Sequence, residues 1–581
     1  MRSMRRHLRS IHRMRIFPLL LVMLAGAHSA RASWSPVGNP VCTAPGAQHD
    51  AICVLPWIVW TDDRSGTPQL YAAMFDWPTG IPSPANGFPI APSAFPQDMA
   101  VAAASSYDGS LIVAWSEDRG TGSGSDVYAM HLEAGAPDAG WPATGLPVCG
   151  AAGEQRNPRI LLGEIFTGPF AATPLFYPTW EDARDGVSRL YATDITFAGD
   201  SRPGWPVNGL LISAGASAVR SAGLVAEDTA FVAIWESGGR VSAQAVAEAG
   251  IVPGNANWPV AGRTLSDTLF AASAAVAVNI DNPANVVVAW EEQRGDQVQI
   301  RAQGWAQGSA HTLVAQAIPV VDDPSARPLS IELFSGGYEQ ALLFWQDDRG
   351  DPGDLYSSVV AASAKNPPWL SAYGDAGAVF VQQPGEQGHV TRGWGAFWQD
   401  SRSGTPQIYS ELSGYPPYPP GGARMAPTST AQTQPSASHD VGNFVPENPP
   451  SDVVVWTDMR NPGTGPDLYA QVLGPGGPGT VSVLDQGGAR LFCSNARPTP
   501  TRGATAFELE LPLGGDVELA IADVSGRTVR SLVHGTLGAG HHTFAWDGLD
   551  AGGRRVAPGL YWLHGRAGRE TLSRRVVVIP R

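Results

Sequence analysis

The sequence predicts an all-β protein, an eight-bladed β-propeller followed by a small β-sandwich, with seven blades as the alternative count. Three observations carry this prediction. An apolar run ending in tryptophan recurs eight times, at Trp60, Trp115, Trp180, Trp235, Trp290, Trp345, Trp398 and Trp456, with intervals of 53 to 65 residues. A charged turn and a second strand follow each tryptophan, and past residue 485 the repeat gives way to shorter alternating strands. The composition agrees: 67 Gly, 50 Pro and only 16% charged residues among 581 suit turn-rich β structure.

Within each repeat the elements follow in order. The runs "PWIVW", "SLIVAW", "PLFYPTW", "AFVAIW", "VVVAW", "ALLFW", "WGAFW" and "DVVVW" are continuously apolar, which predicts strands covered on both faces. Seven copies continue as W-x-[D/E]-x-R: Asp62 and Arg64, Glu117 and Arg119, Asp182 and Arg184, Glu292 and Arg294, Asp347 and Arg349, Asp400 and Arg402, Asp458 and Arg460. The fourth copy, "WESGGRVSAQ", lacks the pattern. A glycine-containing turn then leads to "QLYA", "DVYA", "RLYA", "QIRA", "DLYS", "QIYS" or "DLYA", the second half of a hairpin. Small-residue strands precede each tryptophan, and a Trp-Pro or Gly-rich link with a short strand follows. Four strands in about 55 residues make one propeller blade. The eighth copy lacks a clear fourth strand, and residues 34–44, "WSPVGNPVCTA", supply an orphan one, so the N-terminal segment is expected to close the ring. "GTVSVL" at 479–484 is the rival donor.

The ends set the compartment. Residues 1–32 combine seven arginines, a short apolar run, "IFPLLLVMLAGA", and "ARA", which together read as a cleaved secretory signal. Removing those arginines deepens the formal charge from −15 to about −22. Such acidity, with Lys365 as the one lysine, disfavours nucleic acid and anionic lipid as partners. No later run is long enough to span a membrane, so an exported protein, secreted or envelope-associated, is expected, monomeric and not integral to the membrane. Cys42, Cys53, Cys149 and Cys493 allow several disulfide pairings that spacing does not distinguish.

The propeller is expected over 33–480, a linker over 481–494 and the sandwich over 495–581. In the last segment Asp523, Gly526, Arg527, Trp546, Asp547, Gly548, Gly553, Pro558, Gly559 and Tyr561 stand within "VELAIADVSGRTVRSLVHG" and "HHTFAWDGLDAGGRRVAPGLYW". This wording resembles the FlgD-type immunoglobulin-like domain and is similar to type IX sorting domains. The resemblance implies an immunoglobulin-like β-sandwich and a sorting or anchoring role, although "PNPF" is replaced by "ARPTPTRG". The repeats resemble W-x-D-x-R-x-G…D-I-Y propeller repeats of secreted bacterial proteins, loosely TolB-like, and that resemblance implies fold more than activity.

A set of acid and arginine that recurs seven times does not serve one substrate. The expected role of these residues is structural, as hairpin joints with tryptophan filling the space between sheets. No catalytic residue is nominated, and no cofactor is expected. Acidic turns such as "QDDRGDPGD" at 346–354 offer oxygen ligands for calcium but lack EF-hand spacing. The sequence thus favours a non-enzymatic binding protein whose partner is a protein, peptide or glycan. The alternative is a sialidase-like propeller glycoside hydrolase, for which "SSYDGSLIVAW" at 105–115 is the nearest motif.

Overall fold

The computed structural model describes residues 34–473, 492–493 and 501–579, apart from short stretches inside those ranges, of which 251–257, 412–421 and 441–450 are the longest. The expected signal segment, residues 481–491 of the expected linker and the rival strand at 479–484 lie outside the described residues, whereas Phe492–Cys493 near the end of that linker form a strand. Every strand of the eight sheets that precede residue 474 is paired antiparallel.

Sheet one shows the pattern: Gln48–Val54, Trp57–Asp62, Gln69–Asp76 and Ile81–Pro89 pair in sequence order. Sheets two to seven occupy 97–149, 155–211, 219–264, 271–321, 328–381 and 387–424. Sheet eight takes Gln432–Asp440, Ser451–Asp458 and Asp467–Leu473, and its fourth strand is Asn39–Cys42 from the other end of the chain. Asn39 faces Ala470 and Pro40 faces Tyr469, and Gln471 Nε2 donates to Ser35 O at 2.8 Å. The sheet lacking the acid–arginine pattern forms all the same, over Val219–Glu227, Ala230–Ser237, Arg240–Ala247 and Arg263–Thr264.

Successive sheets pack face to face, and sheet eight touches sheet one through their first strands. Sheets lie in contact because every side chain of a strand such as Leu111–Glu117 is buried, so both faces need cover. Trp60, Ile58 and Ala73 of sheet one pack against Val453, Val455, Leu468 and Ala470 of sheet eight. Trp57, Val59 and Leu70, from the opposite face, meet Trp115 and Leu111 of sheet two. Each repeat tryptophan therefore covers the preceding sheet.

The C-terminal unit is a two-sheet β structure. One sheet holds Phe492–Cys493, Thr505–Leu511 and Gly540–Trp546; the other orders Thr528–Leu537, Gly515–Asp523, Gly559–Ala567 and Glu570–Val578. Phe507, Leu519, Ile521, Trp546, Leu563 and Val576 form its own core. His541 and His542 fall inside a strand, opposite Glu510 and Leu509. Among the described residues no helix is long and apolar enough to cross a membrane.

Deleting residues 34–44 bares the edge of Asp467–Leu473. The truncated chain is expected to melt at lower temperature or to elute as a larger species on size exclusion.

Candidate functional site: the repeat joint and an unrepeated charge pair

Two constellations compete for a functional role, and the repeat joint is the first. The carboxylates of Asp62, Glu117, Asp182, Glu292, Asp347, Asp400 and Asp458 are almost fully buried. Strand alternation puts each on the same face as the tryptophan two residues before it. The indole N–H therefore reaches the carboxylate: Trp60 to Asp62 at 2.9 Å, Trp115 to Glu117 at 2.9 Å, Trp180 to Asp182 at 3.0 Å and Trp290 to Glu292 at 2.9 Å. The same bond runs from Trp345 to Asp347 at 3.1 Å, Trp398 to Asp400 at 3.0 Å and Trp456 to Asp458 at 3.0 Å.

The arginine binds the same carboxylate. Arg64, Arg119, Arg184, Arg294 and Arg460 pair with their acids at 2.5 to 2.9 Å, and Arg402 pairs with Asp400. Arg349 lies outside the described residues. Guanidinium groups also lie over the tyrosine of the next strand, as Arg64 over Tyr71 at 4.1 Å and Arg460 over Tyr469 at 3.6 Å. Arg64 Nη2 donates to Asn86 O at 2.8 Å, tying the hairpin to the fourth strand. In sheet five the tyrosine is replaced by Arg301, directly opposite Trp290. In sheet four Trp235 is buried, and Ser237 stands at the acid position.

The joint reaches across to the preceding sheet. Cys42, in the strand donated to sheet eight, places Sγ 3.7 Å from Asp62 Oδ2 and 3.0 Å from Arg64 Nη2. Cys149 of sheet two stands likewise 3.8 Å from Asp182 Oδ2 in sheet three. Ser93 Oγ donates to Glu117, and Thr430 Oγ1 to Asp458 at 3.4 Å. Cys42, Cys53 and Cys149 are free thiols, and burial pushes Cys42 up to about 12.

Burial pushes the carboxyls of Asp62, Asp182 and Asp458 upward, but hydrogen bonds from arginine and tryptophan outweigh it and hold all three below the usual carboxylate range. A depressed folded-state pKa contributes stability above the unfolded value and loses it as the pH falls through the folded one.

Sequence reading missed two members of the joint. Gln48, Gln97, Gln155, Gln387 and Gln432 are buried, open the first strand of their sheets, and face the acid directly across the ladder. Gln48 Nε2 donates to Ala44 O and Gly46 O, and Gln432 Nε2 to Ala426 O, fastening the crossover between sheets. The second is the glycine of the fourth strand. Gly87 has φ +65°, and a Cβ there would fall 2.2 Å from Trp60 Cη2; Gly145 stands in the same relation to Trp115. The recurring glycine after the Trp-Pro link was the available signal.

The second constellation breaks the repeat. The first-strand residue paired with the position before each tryptophan is Ile52, Val101, Gly223, Val276, Thr391 or Ser436 in six sheets. In sheets three and six it is Arg159 and Glu332. These two charges feel one another. Both are solvent-exposed yet hemmed in by protein. Burial pushes Glu332 up to about 7 against the opposing pull of Arg159. Glu181, whose charge also acts on Arg159, accepts a bond from Ser221 N at 2.9 Å through Oε1; in sheet five, Glu291, 6% exposed, is pushed up to about 7 by burial and by Glu236. Among the described residues no three His, Cys, Asp or Glu side chains gather as a metal site.

Trp398→Ala or Trp290→Ala is expected to cost about 3 to 5 kcal/mol of folding stability by denaturant melts. Thermal stability should fall as the pH drops below about 4, and Asp62→Asn should lower the melting temperature at neutral pH while flattening that acid limb.

Comparison with known proteins places residues 494–564 in the FlgD Ig-like domain. The chain is 38% identical over 85 residues to the basal-body rod modification protein FlgD of Salmonella typhimurium, and equally to that of Salmonella typhi. This aligned stretch is 14% of the chain and spans a third of the length of those relatives. Among solved structures, a prolyl endopeptidase shares 12% identity with a TM-score of 0.33, covering 81% of this chain and 55% of that one. The six-bladed β-propeller lectin of Aleuria aurantia shares 11% identity with a TM-score of 0.27, over 58% of this chain and 99% of the lectin. A glycoside hydrolase family 43 arabinoxylan arabinofuranohydrolase of Bacillus subtilis shares 11% with a TM-score of 0.25, over 83% and 94%. The chain thus carries a C-terminal FlgD Ig-like domain behind an all-β, propeller-like array.

Proposed function

We propose that the eight sheets are the blades of one propeller at about 33–480, closed by residues 34–44 and joined through a linker to the immunoglobulin-like sandwich. On this reading the protein is an exported binding platform of the cell envelope or medium, and the sandwich serves as spacer, anchor or sorting tag. The observation that carries the binding role is the saturation of the joint: its carboxylates are buried and held by tryptophan, arginine and the neighbouring sheet. Groups so committed fix the scaffold and leave recognition to the loops and the channel. The envelope assignment is supported by the FlgD Ig-like match, whose relatives are basal-body rod modification proteins. The partner is a protein, peptide or glycan, bound by a monomer.

A second reading, a propeller glycoside hydrolase, is favoured by one observation, the unrepeated Arg159 and Glu332. A screen with sialosides and other glycosides separates the two. The binding reading expects no turnover, and turnover abolished by Glu332→Gln would replace it with the enzyme. Deleting 490–581 is expected to leave the melting temperature of the propeller unchanged and to move it from envelope to medium in fractionation.

A further inference from the structure

A cavity lies in the seam between sheets six and seven. Its polar lining is Glu332 and Gln346 from sheet six and His389 from sheet seven; Phe344, Leu355 and Val390 line it as well. We propose that this cavity binds one uncharged saccharide unit of a glycan, with Glu332, Gln346 and His389 as its hydrogen-bonding contacts. The inference rests on the binding-platform reading and names its ligand.

The chemistry of the lining selects the ligand. Three planar polar groups beside apolar side chains match a ring that carries hydroxyls on its rim and C–H groups on its faces. An apolar guest would strip three polar groups of water and leave them unpaired. An anionic guest meets Glu332 and a chain of net charge −15. A cationic guest meets Arg159, whose charge already acts on Glu332. An uncharged polyhydroxylated ring is what remains.

The backbone is arranged to suit. A bulge between Gly388 and Thr391 interrupts the first strand of sheet seven, and His389 sits in it at φ +49°. Bulges of this kind re-aim a side chain. Gly388 lies beside Gln346: a Cβ there would stand 3.4 Å from its Oε1, an ordinary contact. The other first strands are bulged too, and in this seam a carboxyl, an amide and an imidazole line one cavity.

The titratable and charged groups that bear on Glu332 are Arg159 of sheet three, whose charge acts on it, and His389 of the adjacent sheet, which lines the same cavity. An ionised carboxylate accepts hydroxyl hydrogen bonds more strongly than a protonated one. Affinity should therefore rise as the pH increases through about 7.

The test uses the full chain on a printed array of neutral and acidic oligosaccharides. The best-bound neutral saccharide is then titrated calorimetrically between about pH 5.5 and pH 8.5, a window that brackets the carboxyl. Wild type is expected to bind at least one neutral saccharide, and Glu332→Gln and Gln346→Ala each to weaken it about tenfold or more. Glu332→Gln should also abolish the rise near neutral pH. Both positions are partly solvent-accessible, and unchanged melting curves certify the fold; a variant that melts early is replaced by Glu332→Asp or Gln346→Glu, for which the same loss is expected. Undiminished binding in folded variants would overturn the site while leaving the platform reading intact. An array silent for wild type, or answering only with charged glycans, would overturn the ligand class. Capture of a protein partner in a pull-down would then keep the platform reading alive on its own.

Discussion

A carboxylate buried two residues after a tryptophan on the same strand face governs the rest of the repeat array. Left alone in the interior, such a charge would cost several kcal/mol or take up a proton. At Asp62, Asp182 and Asp458 the carboxyl is held below the usual carboxylate range because an indole N–H, a guanidinium and the backbone N–H of the arginine converge on it against the push of burial, and the same backbone bond forms at Asp400. Each donor is thereby fixed in turn. The indole lies flat toward the preceding sheet, the arginine backbone closes the turn, and the guanidinium caps the tyrosine and the fourth strand. One requirement for saturation thus specifies a rotamer, a turn and a contact between sheets.

Sheet four shows how far the array tolerates loss of that requirement. Ser237 takes the acid position and Val219 the glutamine position, so the buried charge and its partner are absent together. What survives is apolar: Trp235 is buried, and a Cβ at Gly262 would fall 2.4 Å from its Cη2. Packing, the backbone ladder and lesser polar ties, such as Val241 N to Ser266 Oγ, hold this sheet in place of the buried charge.

The strands, the tryptophans and the acid–arginine pairing were legible because they are local: two-residue spacing in a strand fixes a face. The FlgD-like wording was legible for the same reason. The glutamine was not, since it stands 12 residues before Trp60, 18 before Trp115 and 25 before Trp180. Loop length between the first two strands hides the relation, which only pairing across the ladder restores. Arg159 and Glu332 were hidden more deeply, lying on irregular, bulged strands and 173 residues apart. Their significance comes from occupying one register position in two different sheets, a coincidence of topology. The acid–arginine sets were conspicuous by recurring, whereas a binding site betrays itself by departing from the repeat.

The strand Asn39–Cys42 has a temporal consequence. Its partner, Asp467–Leu473, lies roughly 430 residues downstream, a contact order far above that of the hairpins within each sheet. A chain emerging N-terminus first can complete each hairpin as it appears, yet its first strand stays unpaired until the last sheet is made. The array therefore has a built-in clock. Seven sheets can form by local zipping, and one terminal act, joining the oldest strand to the youngest, converts them into a single cooperative body.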